Sequence, residues 1–221
     1  MDSLPDVVGT GGKLPVDRQL SRHRDELVLR WLCDQYAGRL DHLEVLTGKN
    51  TLRVREIVAR LCEAGWVYTR RILVGEPMWV FPTQQGLKRC CLTVRELIPS
   101  SARLTHMAAI NDVRLHIQLN SPDTHWISER TILIEGPPRR QSYIPDGVAI
   151  HDGHKVAIEV ELHAKRVGVV RRKLTEHEQR YDAVLYFCAS GPHRQLTKLA
   201  ETGRWPNLGV RELPNPIRER R

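Results

Sequence analysis

Long apolar runs are missing from this chain: no stretch of its 221 residues approaches the roughly 18 consecutive apolar side chains that span a bilayer. The opening MDSLPDVVGTGGKLP also lacks the basic and apolar regions of a secretory signal, so a cytoplasmic location is the default expectation. Cysteine is sparse. Cys33, Cys62, Cys90, Cys91 and Cys188 are odd in number and contain no C-x-x-C pair, which argues against a disulfide framework and against a zinc ribbon. Cys33 and Cys62 fall among apolar helix positions and read as core thiols. Acid is in deficit: 26 Asp and Glu face 34 Lys and Arg, a formal charge of +8, which favours a polyanionic partner without separating DNA from RNA or a membrane surface. A hydrophobic share of 41% leaves an ordinary globular chain with room for one large or two small domains.

Residues 1–16, with three glycines and two prolines, read as a flexible arm. Residues 17–95 then follow a recognisable order. Asp25 to Gln35 has helical spacing, Leu40 to Leu46 makes a short helix, Thr47-Gly48-Lys49-Asn50 turns, and Thr51 to Ala64 is a third helix with Val54, Ile57, Val58 and Leu61 inward. Two strands, Trp66 to Val74 and Met78 to Phe81, are joined by Gly75-Glu76-Pro77, and a turn over Thr83 to Cys90 closes the unit. That is the order of a winged helix-turn-helix. Thr51, Arg53, Arg55 and Arg60 on the third helix supply donors suited to phosphates and guanine edges, and Arg70 and Arg71 stand where a wing would touch the backbone. A solvated helix face, or partner binding through the same fold, is the competing reading. Trp66 and Trp79 read as wing and core packing.

The second half, residues 100–213, predicts a helix over Leu104 to Leu119 and a strand over Trp126 to Ile134, followed by a hairpin. Asp152-Gly153 as a type I′ turn sets His151 against His154, Val148 against Ala157 and Asp146 against Glu159. Like charges directly opposed in this way are destabilising unless something positive intervenes. Strand alternation adds Glu161 and His163 to the face of Glu159, so three carboxylates converge, as in a site for a hard divalent cation beside a phosphodiester. A basic helix over Lys165 to Arg180, a strand over Ala183 to Cys188, a helix over His193 to Thr202 and a strand over Gly209 to Leu213 complete an αβββαβ order with an added αβ; residues 214–221 read as a loose tail. His151 and His154 read as turn residues, and His163 as a strand-end residue that could be tested as a base.

That order, with Glu129 on the first strand, Pro145-Asp146 on the second and Glu159-Val160-Glu161 on the third, resembles the PD-(D/E)XK nuclease superfamily, giving an α/β class, α+β overall. The winged helix together with His106-Met107-Ala108-Ala109-Ile110-Asn111-Asp112-Val113, Trp126-x-x-Glu129 and Asp146 to Lys165 is also similar to the replication-relaxation family of actinobacterial plasmids and phages, from about Arg22 to Leu213. The resemblance implies double-stranded DNA as partner, in plasmid or phage replication, mobilisation or gene control. It also implies Asp146 and Glu159 as ligands of Mg²⁺ or Mn²⁺ if the site is active, with Glu129 as a further acid. Glu161 stands where the superfamily usually has Lys, and an acid cannot neutralise a phosphorane. Lys165, or less directly Lys173, would supply that charge.

Three functions remain open on the sequence. One is a DNA-binding protein whose nuclease-like half is catalytically silent, its acids neutralised by the basic helix; palindromic sites would favour a homodimer. The second is a metal-dependent endonuclease or nickase. The third is an interaction adaptor for replication or transfer proteins.

Overall fold

The computed structural model describes residues 16–72, 75–96, 99–135 and 143–219. Within them the chain is a mixed α/β protein with two sheets, and no helix is long and apolar enough to cross a membrane. Of the expected arm only Val16 lies among these residues, and the end of the expected Trp66 to Val74 strand, at 73–74, lies outside them.

The first half runs α1 (Val16–Gln35), β1 (Gly38–Arg39), α2 (Leu40–Thr47), α3 (Thr51–Glu63), β2 (Val67–Arg70), β3 (Trp79–Pro82) and α4 (Gln84–Arg89). Helix α1 starts well before the expected Asp25, and β1 was not expected at all. At two residues β1 is too short to leave a sequence pattern; it joins an antiparallel sheet of order β1-β3-β2. Gly48, at φ 69°, ends α2, and the Asn50 side chain caps α3 by accepting from the Arg53 N–H at 3.1 Å. The expected inner face of α3 is inward: Val54, Ile57, Val58 and Leu61 are buried in one cluster with Val28, Leu32 and Leu43.

The second half runs α5 (Ser101–Asn120), β4 (His125–Ser128), α6 (Glu129–Glu135), β5 (Gly147–His151), β6 (His154–Glu161), α7 (Val167–Glu178), β7 (Ala183–Cys188), α8 (Ser190–Ala200), β8 (Leu208–Glu212) and α9 (Pro216–Glu219). The sheet order is β4-β5-β6-β7-β8, antiparallel through β6 and parallel from there on. Alternation along β6 divides the core. Ile158 and Val160 pack with Val113 of α5 and Trp126 on one side, while Ala157 packs with Val170 and Leu174 of α7 and Leu196 of α8 on the other.

Two expectations are overturned. The strand expected over Trp126 to Ile134 stops at Ser128 and a helix takes over. The Ser128 hydroxyl accepts the Thr131 N–H at 3.1 Å, the bond of an N-cap, so the β-rich run Thr131 to Ile134 is wound into α6 and Glu129 heads a helix. The tail expected to be loose carries α9, whose Ile217 packs on the apolar cluster of the first half.

The halves share both core and polar groups. Leu104, Met107 and Ala108 of α5 are buried with Ala37, Trp79 and Phe81. Beside them Asn111 donates to the Ala37 carbonyl at 2.9 Å and accepts from the Gln35 amide at 3.0 Å, and Asp112 lies 3.3 Å from buried His42. Asp34 at the end of α1 accepts from Arg114 at 2.5 Å and from Ser128 at 2.6 Å.

Candidate functional site

The hairpin has the expected register. Asp152 and Gly153 both have positive φ, 48° and 80°, as a type I′ turn requires, and His151 pairs with His154, Val148 with Ala157 and Gly147 with Ile158. Asp146, one residue before β5, therefore lies opposite Glu159. Its Oδ2 accepts the Val160 N–H at 2.7 Å, so the side chain takes over the place of a ladder bond. Gly147 is required beside it, because a Cβ there would stand 2.2 Å from the Trp126 ring. Gly147→Ala is expected to cost about 1–3 kcal/mol through overpacking. Thermal unfolding checks this, and an unchanged midpoint would show that the ring can move aside.

Glu159 and Glu161 point toward α7 and are both buried. An unpaired carboxylate in that position is strongly disfavoured, and the partners come from α7 and from Lys165, which precedes that helix and does not, as expected, lie on it. Lys173 donates to Glu159 Oε2 and His177 Nε2 donates to Glu159 Oε1 at 2.6 Å. Burial works against the Lys173 charge, but Glu159, Asp146 and Glu161 outweigh it and hold the ammonium above its usual range. Lys165 reaches Glu161 at 2.7 Å. Lys173, the less direct choice from sequence, is thus the lysine inside the acidic cluster, and Lys165 is its outer cap. His177 was missed altogether. Its only trace in the sequence is that Lys173 and His177, four residues apart, occupy the stripe of α7 that Val170 and Leu174 also face.

The other side of Asp146 is built by α5 and α6. His106 Nε2 lies 3.0 Å from the Val160 carbonyl and 3.5 Å from Asp146 Oδ2. Burial disfavours its charge, yet Asp146 and the carbonyl overcome this and raise its pKa to about 9, while the same contact overcomes the burial of Asp146 and holds that carboxyl below its ordinary range. Glu129 is pushed up, first by burial and then by Asp146, with Arg103 opposing at 3.7 Å. A cavity of about 140 Å³ lies here, lined by Tyr36, Arg103, His106, Glu129 and Asp146 among others.

Since the folded pKa of His106 lies above the ordinary 6.5, its pairing stabilises the fold fully below pH 6.5 and that contribution is lost as pH rises through about 9. An NMR titration should find His106 titrating near 9, falling toward 6.5 in Asp146→Asn. A wild-type value near 6.5 would contradict the pairing.

Each acid thus has a cationic partner: Asp146 with His106, Glu159 with Lys173, Glu161 with Lys165 and Glu129 with Arg103. Both Glu159 oxygens accept hydrogen bonds, so a divalent ion held by the expected ligand pair Asp146 and Glu159 would share Glu159 with Lys173 and His177. His163 is exposed beyond the end of β6, and His151 and His154 flank the turn as expected.

The expected DNA-facing residues are all exposed but are not equivalent. At 3.6 residues per turn, Thr51, Leu52 and Arg55 run down one flank of α3, and Arg53, Glu56 and Arg60 down the other. Arg53 is paired with Glu56 at 2.8 Å, and Arg60 grips Asp25 of α1 through two bonds of 2.7 and 2.9 Å. Arg55 and Arg71 make no ion pair among the described residues, and Arg70 ends β2. Trp79 is buried, and Trp66 is partly buried under Arg89 at 5.6 Å.

Compared with family models, with curated proteins and with solved structures, the chain matches none.

Proposed function

We propose that this chain is a duplex-DNA-binding protein of a plasmid, phage or other mobile element, acting in replication, mobilisation or transcriptional control. Residues 17–95 would serve as a winged helix-turn-helix, and residues 100–213 as a PD-(D/E)XK nuclease-like half that is catalytically silent. The mobile-element setting rests on the resemblance to the replication-relaxation family. The observation that carries DNA binding is the exposed flank of α3, where Thr51 and Arg55 face outward, Arg55 without an ion pair among the described residues, on a helix seated by its apolar face. Arg70 and Arg71 lie at the end of the adjoining strand, and the formal charge of +8 agrees with a polyanionic partner. The silence of the second half is supported by the pairing of every acid with a cation, above all Glu159 with Lys173. A palindromic site would call for a homodimer.

With a duplex selected from a random-sequence pool, Arg55→Ala is expected to weaken binding by about 1–3 kcal/mol, roughly 5- to 150-fold, if it reads a base edge, or to lower the salt slope by about 1 if it holds a phosphate. Arg60→Ala should act mainly on stability, by releasing Asp25. Fluorescence anisotropy at several salt concentrations measures both. Unchanged affinity and slope in Arg55→Ala would overturn the assignment of α3. Supercoiled plasmid should stay intact with Mn²⁺; nicking that Asp146→Ala abolishes would replace the silent reading by the endonuclease.

A further inference from the structure

The second sheet has two differently used faces. Helix α5, which carries contacts to the first half, packs on one, and α7 and α8 pack on the other. The two helices are joined by the Gln195 side chain, which donates to the Lys165 carbonyl at 2.9 Å, and they bury Val170, Leu174, Leu196 and Leu199. At 3.6 residues per turn the opposite side of α7 shows Gly168, Arg171, Arg172 and Thr175, and that of α8 shows Ser190, Arg194, Thr197 and Lys198. Lys165 and Lys173 are engaged by Glu161 and Glu159. Arg166, Arg171, Arg172, Arg194 and Lys198, by contrast, are exposed and make no ion pair among the described residues. The acids of the two helices do not offset them: Glu176 accepts from the Tyr143 N–H, Glu178 lies 3.5 Å from Arg204, and Glu201 sits at the far end of α8. On α3, Arg53 and Arg60 are both held by acids, so the α7–α8 face offers more unpaired positive charge than the expected reading helix does.

We propose that the α7–α8 face is a second nucleic-acid surface, which holds the phosphate backbone of a duplex without reading its sequence, so that one molecule bridges two DNA segments. Clustered cations that no acid of the chain offsets suit a polyanion. A bilayer fits the face poorly: an interfacial helix enters lipid through large apolar side chains, and Val167 is the one such side chain exposed on either helix. Between the cations the floor is low and polar. Gly168 and Gly191 have open space where a Cβ would stand, so a backbone can come close while the long cationic arms reach its phosphates. Because the sheet stands between this face and α5, a straight duplex lying on α7 and α8 is a different segment from the one on α3. Bridging rests on the DNA-binding reading of α3; the basic face itself does not.

The test compares the full-length protein with a triple variant, Arg171→Ala, Arg172→Ala and Arg194→Ala, whose thermal midpoint should be unchanged because none of the three makes an ion pair among the described residues. On a duplex of arbitrary sequence, which needs no selected site, the triple variant should lower the slope of log affinity against log salt by about 2–3, one phosphate for each charge removed. Lys in place of each Arg should restore the slope, since a backbone contact responds to charge. For bridging, a duplex carrying the selected site is fixed to beads, loaded with protein and offered a labelled duplex of unrelated sequence. Wild type should capture the second duplex, and the triple variant should load equally but capture at least about tenfold less. An unchanged slope in the triple variant would overturn the surface, whatever becomes of α3. Absence of capture by wild type would overturn bridging, and capture that persists in the triple variant would assign it to a homodimer with two winged helices. Arginine-dependent sedimentation with phosphatidylserine–phosphatidylcholine vesicles, with no change in the DNA slope, would make the partner a membrane surface and overturn the proposal. Failure of Arg55→Ala to weaken binding to the selected site, beside a lowered slope in the triple variant, would reject the α3 reading and leave this face standing.

Discussion

Glu159→Ala is expected to remove about 3–5 kcal/mol of unfolding free energy, because it leaves the Lys173 ammonium inside the protein without its counter-charge. That is a large part of the roughly 5–15 kcal/mol that holds a typical domain folded. Glu159 is 1% exposed and the Lys173 side chain 14%, so water cannot take over the lost interaction. His177 loses its acceptor in the same variant. The pair need not be better than an apolar one of similar volume. Glu159→Met combined with Lys173→Met should recover most of the loss, since it removes both charges together. Urea unfolding followed by tryptophan fluorescence measures all three proteins. A single-variant loss under about 1 kcal/mol would show that Lys173 finds water, and that the acids are less enclosed than the fold implies.

Asp34→Ala should rank next, at about 3 kcal/mol. Asp34 accepts from Arg114, Ser128 and Thr131, at 2.5, 2.6 and 3.2 Å, and so gathers α5, β4 and α6 at the end of α1. Without it the Arg114 guanidinium stays between the rings of Trp31 and Trp126, 5.7 and 5.9 Å from their centroids, with no carboxylate to pair. Burial already disfavours the charge of Arg114. Apolar contacts also join the two halves, through Leu104 and Met107 against Trp79 and Phe81, so the variant should still unfold in one transition, at lower urea and with an unchanged slope. Two resolved transitions would show that the polar knot, not the apolar seam, couples the halves.

What could be read from the sequence was whatever short-range chemistry decides. The β5–β6 hairpin was legible to the residue because Asp152-Gly153 admits one turn type and the turn sets the register. Strand β7 was legible because Ala183 to Cys188 is an uninterrupted apolar run bounded by polar residues. Helix α6 was not, since its β-branched residues argue for a strand and one hydroxyl, that of Ser128, decides otherwise. The choice between Lys165 and Lys173 also lay beyond local reasoning. Helix α7 crosses from β6 to parallel β7 and so runs back along β6: Lys165 meets the end of the strand at Glu161, while Lys173 and His177 return to Glu159. Nearness in sequence pointed to Lys165, which does reach Glu161, but gave no sign that Lys173 would reach Glu159. His106 acquires its partners only when α5 and the β5–β6 hairpin are assembled, and no spacing rule brings those elements together.

Helix α5 has obligations on more than one face: His106 stands beside Asp146, while Asn111 and Asp112, well around the helix axis from it, meet Gln35 of α1 and His42 of α2. Tail residue Ile217 ties a second knot in the same direction. The two halves are consequently not interchangeable cassettes. A different module joined in front of Ser101 would inherit a helix whose amide and carboxylate expect Ala37 and His42, and would have to reproduce that socket before it could fold.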